Sequence, residues 1–302
     1  MGLAVHARFK RCAITVMIGL SGTALVACSD GEKEPAKHQT AVQQKQTKED
    51  LEAIAKIAAE NQPLKTDLPT LPMGEVSEYQ NLLTPVAPLR YYTALRSWDE
   101  SKEDVIKSVT DQIAPSMKID NPPLYEYGYG IITTEDAFQK RDLGEKVYTI
   151  VQAEAAKVGN NNRLVKVETR QGLDPYNFDS KGFKTSGCLF SDKVDYTAEE
   201  SRNQQAMSRA QKPRCYLRTM ADFNVGIVGG SKVFFEIADE AVAKKIEANR
   251  DKSHLVVYGY VQSVQRERLG GRLFDRRYVM VAPQRVDVVD NSTGDVIATT
   301  KI

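Results

Sequence analysis

Leu255-Val256-Val257-Tyr258-Gly259-Tyr260-Val261-Gln262-Ser263-Val264 decides the fold. β-branched and aromatic residues dominate it, so it reads as one long strand. Gly259 has no side chain to pack and marks a bend or bulge. Around it stand further short runs of the same kind: Phe223 to Val228, Lys232 to Ile237, Arg277 to Val281, Arg285 to Val289 and Val296 to Thr300. A helix over about Asp239 to Asn249 interrupts them, and Asn291-Ser292-Thr293-Gly294 supplies a hairpin turn. Several short strands, one helix and a bent long strand predict a mostly antiparallel sheet or a partly closed small barrel. An OB-like barrel is one form of the latter.

Working backwards, the chain turns helical. Leu89, Tyr92, Leu95 and Trp98 recur on one helical face, as do Val105, Ile106, Val109 and Ile113. Ser101 with Asp104 three residues on forms a capping arrangement. Thr134 is placed to cap a long helix carrying Phe138, Leu143, Val147, Ile150, Val151 and Val158. A strand from Arg163 to Arg170 follows, with Val165, Val167 and Thr169 on one face. Lys184 to Phe190 and Arg214 to Met220 read as strands flanking a polar helix that starts at the Thr197–Glu200 capping box. The class is therefore α+β, with an N-terminal helical part and a C-terminal sheet. The boundaries fall at 1–27, 28–48, 49–115, 116–221 and 222–302. Within the third of these, Leu51, Ile54, Ala55, Ile57 and Ala58 form an apolar helical face.

The N-terminus has the parts of a secretory signal. Arg8, Lys10 and Arg11 precede a mostly apolar run from Ala13 to Val26, too short to remain as a bilayer-spanning helix. Leu25-Val26-Ala27-Cys28 closes it and resembles the lipobox of bacterial lipoproteins. That resemblance covers the leader and Cys28 only. It implies cleavage before Cys28, a diacylglyceryl group on its sulfur and an acylated amino group, since two or more acyl chains give lasting attachment. The chain is then held to a membrane in the bacterial cell envelope. Ser29, where an aspartate retains such proteins at the inner membrane of enteric bacteria, points to the outer membrane, facing the periplasm. Polar residues 29–48 read as a flexible tether.

The whole chain carries 41 basic and 40 acidic residues. Without the three leader bases, 38 face 40, a balance that argues against a body built for nucleic acid. Cys12 leaves with the leader and Cys28 is the lipidation site, so Cys188 and Cys215 remain. In an oxidising compartment such a pair is expected to be bridged, which stabilises by roughly 3 kcal/mol in the chain-entropy account. Two buried thiols, or half a metal site, are the alternatives. The spacing is not C-x-x-C and only His6, His38 and His254 exist, which disfavours a metal.

No catalytic constellation emerges from the sequence. H-E-x-x-H, G-x-S-x-G and a complete phosphate loop are missing, and no cofactor is expected. Two groups invite a binding role. Tyr125, Tyr127 and Tyr129 alternate, so on a strand they form an aromatic platform for a sugar ring or base, or else cover a core. Arg266, Arg268, Arg272, Arg276 and Arg277 surround Gly270-Gly271, and arginine forks bind phosphates and carboxylates. Anionic lipid, glycan phosphate or an acidic envelope protein fits such a cluster. A solvated hairpin whose charges discourage edge pairing fits it equally. The loop Asp174 to Phe183 and its flanking strands resemble uncharacterised envelope proteins of Gram-negative bacteria, which implies no activity. The functional expectation is a non-enzymatic binding or accessory lipoprotein. The alternatives are a carboxylate-dependent hydrolase of envelope glycan or lipid, and an OB-like module for oligosaccharide or nucleic acid.

Overall fold

The spine is an antiparallel hairpin of two 17-residue strands, Ser253–Leu269 and Phe274–Asp290. The structure, a computed structural model, describes residues 64–111, 113–159, 162–192, 215–218, 223–269 and 274–302. In chain order, β1 (Leu64–Asp67) and β2 (Gln80–Asn81) precede five helices. These are α1 (Ala87–Leu95), α2 (Lys102–Thr110), α3 (Met117–Asp120), α4 (Pro122–Thr133) and α5 (Ala137–Ala155). There follow β3 (Leu164–Thr169), β4 (Gly182–Lys184), β5 (Leu217–Arg218), β6 (Phe223–Ile227), β7 (Phe234–Glu236) and α6 (Glu240–Asn249). The spine strands are β8 and β9, and β10 (Val296–Lys301) ends the fold. The chain is an α+β protein.

Each spine strand is long enough to take two partners along its outer edge. β8 pairs with β3 over Leu255–Tyr260 and with β1 over Ser263–Arg266. β9 pairs with β10 in its second half and, in parallel, with β6 over Arg277–Val281. β2 adds to β3 in parallel and β5 to β6 antiparallel. The sheet is open along the path β2-β3-β8-β9-β6-β5, so of the two expected forms it is the mostly antiparallel sheet. β4 and β7 make a separate two-stranded sheet.

Two register shifts bend the spine. Gly259 pairs with Pro283 although Tyr258 pairs with Arg285, which leaves Gln284 as the extra residue on β9. A Cβ at Gly259 would stand 2.1 Å from the Ala282 carbonyl oxygen, so the strands cross here only because that atom is missing. Arg277 to Val281 and Arg285 to Val289, expected as two strands, are one: Pro283 between them sits at this bulge, where a missing N–H is tolerated, and β9 runs through. Gln284 donates to the Leu71 carbonyl at 2.7 Å and accepts from Tyr79 OH at 2.9 Å. The second shift lies between Val261 and Ser263. There β3 hands the edge of β8 over to β1, and Arg163 closes the seam by donating to Val261 O at 2.7 Å and Pro69 O at 2.8 Å.

The helices cover the sheet through one core. Val257, Val261, Val264, Val279, Val281, Val286 and Val288 are fully buried, with Tyr91 and Tyr92 of α1 and Val147 and Val151 of α5. Ser101 caps α2, accepting from Asp104 N at 3.1 Å. The cap of α5 is Asp136, which accepts from Phe138 N at 2.8 Å; Thr134 instead closes α4. Val165, Val167 and Thr169 face inward as their alternation requires.

Two expectations are corrected. Tyr125, Tyr127 and Tyr129 lie on α4, not on a strand. Asn121 caps that helix, accepting from Leu124 N at 3.0 Å, and Pro122 occupies its first position. Leu124, Gly128 and Ile131, at helical spacing, form the packed side. A Cβ on Gly128 would come within 2.4 Å of Ile113 Cδ1, so the glycine is the close-approach point for the segment that follows α2. Cys188 opens a 3-10 turn, Cys188–Phe190, rather than sitting in a strand, and Cys215 lies two residues before β5. The two Cα atoms are 4.4 Å apart and the sulfurs stand at disulfide distance. The helices expected near residues 51–58 and 197–210 lie outside the described residues.

Candidate functional site

The alternation of β8 and β9 puts Arg266, Asp275 and Arg277 on one face of the hairpin base, since Arg266 pairs with Arg277 and Arg268 with Asp275. That face is roofed by α1, α2 and their connector. Arg266 Nε donates to Asp275 Oδ1 at 2.9 Å and its Nη2 to Asp275 Oδ2 at 2.6 Å, a bidentate pair. Its Nη1 stands 3.0 Å from Glu100 Oε1, and Asp104 lies 3.5 Å from Nη2. Arg277 Nη2 reaches Asp275 at 3.2 Å and Glu100 at 3.5 Å. Tyr92 OH donates to Glu100, and Trp98 Nε1 reaches the same carboxylate at 3.4 Å. The Arg277 guanidinium lies 5.8 Å from the centroids of both Tyr92 and Phe223. The side chains of Glu100 and Arg266 are 1 % and 2 % exposed.

The electrostatics follow from this enclosure. Burial pulls the Arg266 guanidinium down, but the Asp275 hydrogen bonds and the Glu100 charge outweigh it and hold its pKa above the usual value. Burial, with the adjacent Glu100 carboxylate, pushes Tyr92 well above an ordinary phenol. Arg266 therefore stays charged and Tyr92 stays a donor. The group is a buried, ion-paired structural knot in which Arg277 Nε alone lacks a hydrogen-bond partner among the atoms described above. Leaving any of these charges buried without its partner would be strongly unfavourable.

This corrects the anion-site expectation for Arg266 and Arg277. They are spent on carboxylates inside the protein and present no fork to a ligand. Arg276 points to the opposite face, half-buried, with its guanidinium 5.8 Å from the Tyr216 ring centroid. Arg272, and the side chain of Arg268, lie outside the described residues, as does Cys28. The tyrosines do not share a face either. On a helix Tyr125 and Tyr129 are one turn apart and stack at 5.9 Å with 11° between planes. Tyr127 turns away and carries Lys146 Nζ at 5.0 Å from its centroid.

A cleft of about 530 Å³ opens where the end of β3, the start of β8 and the β9–β10 turn converge. Glu168, Arg170, Asp251, Ser253, His254 and Asn291 line it. His254 Nδ1 and Asn291 Oδ1 stand 2.7 Å apart, within hydrogen-bond reach, which orients the imidazole in the cleft. Ser253 Oγ is already used on the Arg250 carbonyl at 3.0 Å. Glu168 and Asp251 are exposed, so their charges are screened by water.

Besides Asp287, which pairs with Arg285 on its own strand, sequence reasoning missed two further buried charges. Glu154 on α5 binds Arg90 of α1 at 2.7 Å and accepts from Asn121 Nδ2 at 3.0 Å, tying three helices. Arg163 at the β3–β1 seam is the other, and burial lowers its pKa. A signal for Glu154 existed in the Lys157 one turn on, which pairs with it. Nothing in the sequence marks Arg163, whose acceptors are backbone carbonyls. Among the described residues, no group of three or more ligand-type side chains could hold a metal, and no helix is long and apolar enough to cross a membrane. No family model, curated protein or solved structure matches this chain.

Proposed function

We propose that this chain is a lipid-anchored lipoprotein of the bacterial envelope, outer-membrane bound and facing the periplasm, with a non-enzymatic binding or accessory role. The observation that carries it is Leu25-Val26-Ala27-Cys28 behind a basic flank and an apolar run. The body supports an accessory role in one respect: Arg266 and Arg277 are enclosed as scaffold rather than offered to a ligand. The partner class is an envelope protein, an anionic lipid or a glycan. Palmitate labelling in a bacterial host tests the anchor. The wild-type chain takes up label and Cys28→Ser takes up none; equal labelling of both sinks the assignment. Native mass spectrometry from mild detergent then tests the role. A stoichiometric protein partner supports an accessory protein, and the lipidated chain alone contradicts it.

A second reading, a carboxylate-dependent hydrolase of envelope glycan or lipid, is favoured by Glu168 and Asp251 beside His254 in the cleft. It expects product release from purified peptidoglycan or phospholipid that Glu168→Gln or Asp251→Asn abolishes. No release from either substrate removes it.

A further inference from the structure

We propose that the α4–α5 end of the helical layer seats on the surface of a phospholipid bilayer. The choice of occupant rests on the lipid-anchor reading above. α4, Pro122–Thr133, has the sequence PPLYEYGYGIIT, in which Glu126 is the one charged residue. A helix this apolar normally belongs in a core. Here only Leu124 and Gly128 are fully buried. Its outward side continues past the turn into α5: Tyr129, Ile132 and Phe138 are 49 %, 52 % and 72 % exposed.

The surroundings of these side chains fit a lipid surface. The Arg141 guanidinium lies 5.7 Å from the Phe138 centroid. Aromatic rings with amphipathic tips, edged by long cations, are the side chains that occupy the boundary between headgroups and acyl chains. Side chains as exposed as Phe138 stand on a convex feature. A bilayer accepts a convex apolar tip without a matching groove, whereas a protein partner must supply one.

The anchor makes the encounter unavoidable. Leu64, the first described residue, follows Cys28 by 36 positions. Fully extended, that length spans at most roughly 130 Å. A chain acylated at Cys28 therefore keeps its body beside the membrane at high effective concentration. Around the tip Glu126, Glu135, Asp136, Asp142 and Glu145 outnumber Lys140, Arg141 and Lys146, and Lys102 pairs with Glu145. Seating is then driven by apolar burial and does not require anionic lipid.

The test uses the mature chain, residues 28–302, carrying Cys28→Ser, so that no acyl group or leader contributes. It is floated with phosphatidylcholine vesicles, with and without phosphatidylglycerol. The expected result is comparable flotation with both, and at least a roughly tenfold lower partition for Phe138→Asp and for Ile132→Asp. Phe178→Asp, at an exposed aromatic on a different loop, leaves partition unchanged. Circular dichroism checks that all three variants fold. Absence of flotation, or equal losses at Phe138 and Phe178, overturns the proposal. If the Cys28→Ser chain floats as expected while the wild type carries no acyl group, the tip stands and the anchor reading falls. If the wild type is acylated and the Cys28→Ser chain does not float, the anchor stands and the tip falls.

Discussion

The base of the β8–β9 hairpin and the helix α4 are opposites. The first is rich in charge and is buried; the second is almost without charge and is largely exposed. Arg266 and Arg277 go inside because Glu100 and Asp275 pair with both guanidinium groups and Asp104 adds a third carboxylate to Arg266. Tyr129 and Ile132 stay outside because the side of α4 that packs is already made by Leu124 and Gly128. Residue type alone does not set depth. What sets it is whether a partner of matching chemistry is in reach.

The contrast can be broken experimentally. Its largest expected effect is at Glu100. Glu100→Ala leaves Arg266 and Arg277 short of a buried counter-charge, which is expected to lower unfolding free energy by about 3–5 kcal/mol in urea titration. An unchanged midpoint would mean that the arginines face water. Next comes Gly128→Leu, which drives a side chain into Ile113 and is expected to destabilise by about 1–3 kcal/mol. In the aromatic region the glycine should thus matter more to stability than its tyrosines.

A smaller effect is a pH dependence at Glu154. Burial pushes its carboxyl up, but hydrogen bonds from Lys157 and Arg90 prevail and hold it below its ordinary value near 4.5. A carboxylate depressed in the folded state contributes stability above its unfolded pKa and loses it as pH falls through the folded one. Below about pH 4.5 the wild type should therefore lose stability more steeply than Glu154→Gln. Parallel acid limbs would show that the pair is screened, since Lys157 is largely exposed. The smallest effect is at the Tyr125–Tyr129 stack. A double-alanine cycle there should give a coupling of about 0.5–1 kcal/mol, with a fold that stays intact.

Local chemistry was legible in the sequence wherever its cause was local. Ser101 caps α2, Val165, Val167 and Thr169 alternate inward, and Asn291–Gly294 joins β9 to β10. Gly259 sits at a register shift. Misreadings arose where two periods competed. Tyr-x-Tyr-x-Tyr has the period of a strand, but Leu124, Gly128 and Ile131 have that of a helix, and Asn121-Pro122 is a helix start. Arg277 to Val281 and Arg285 to Val289 read as two strands because a bulge cannot be seen without the opposing strand. The fate of the arginines was illegible for a different reason. Asp275 is a neighbour in sequence, but Glu100 and Asp104 arrive from the α1–α2 region, and only the folded topology brings them over the hairpin. Where the sheet edges and the cleft fall likewise depends on strand order, which no short window encodes.

The most direct measurement is a double-mutant cycle in urea between Glu100→Gln and Arg266→Met. The structure predicts that each single change is destabilising and that the two are coupled by about 1–3 kcal/mol, because they share one buried contact. Additive effects with little loss of stability would contradict it. They would return Arg266 to the solvent, and with it the anion-binding hairpin.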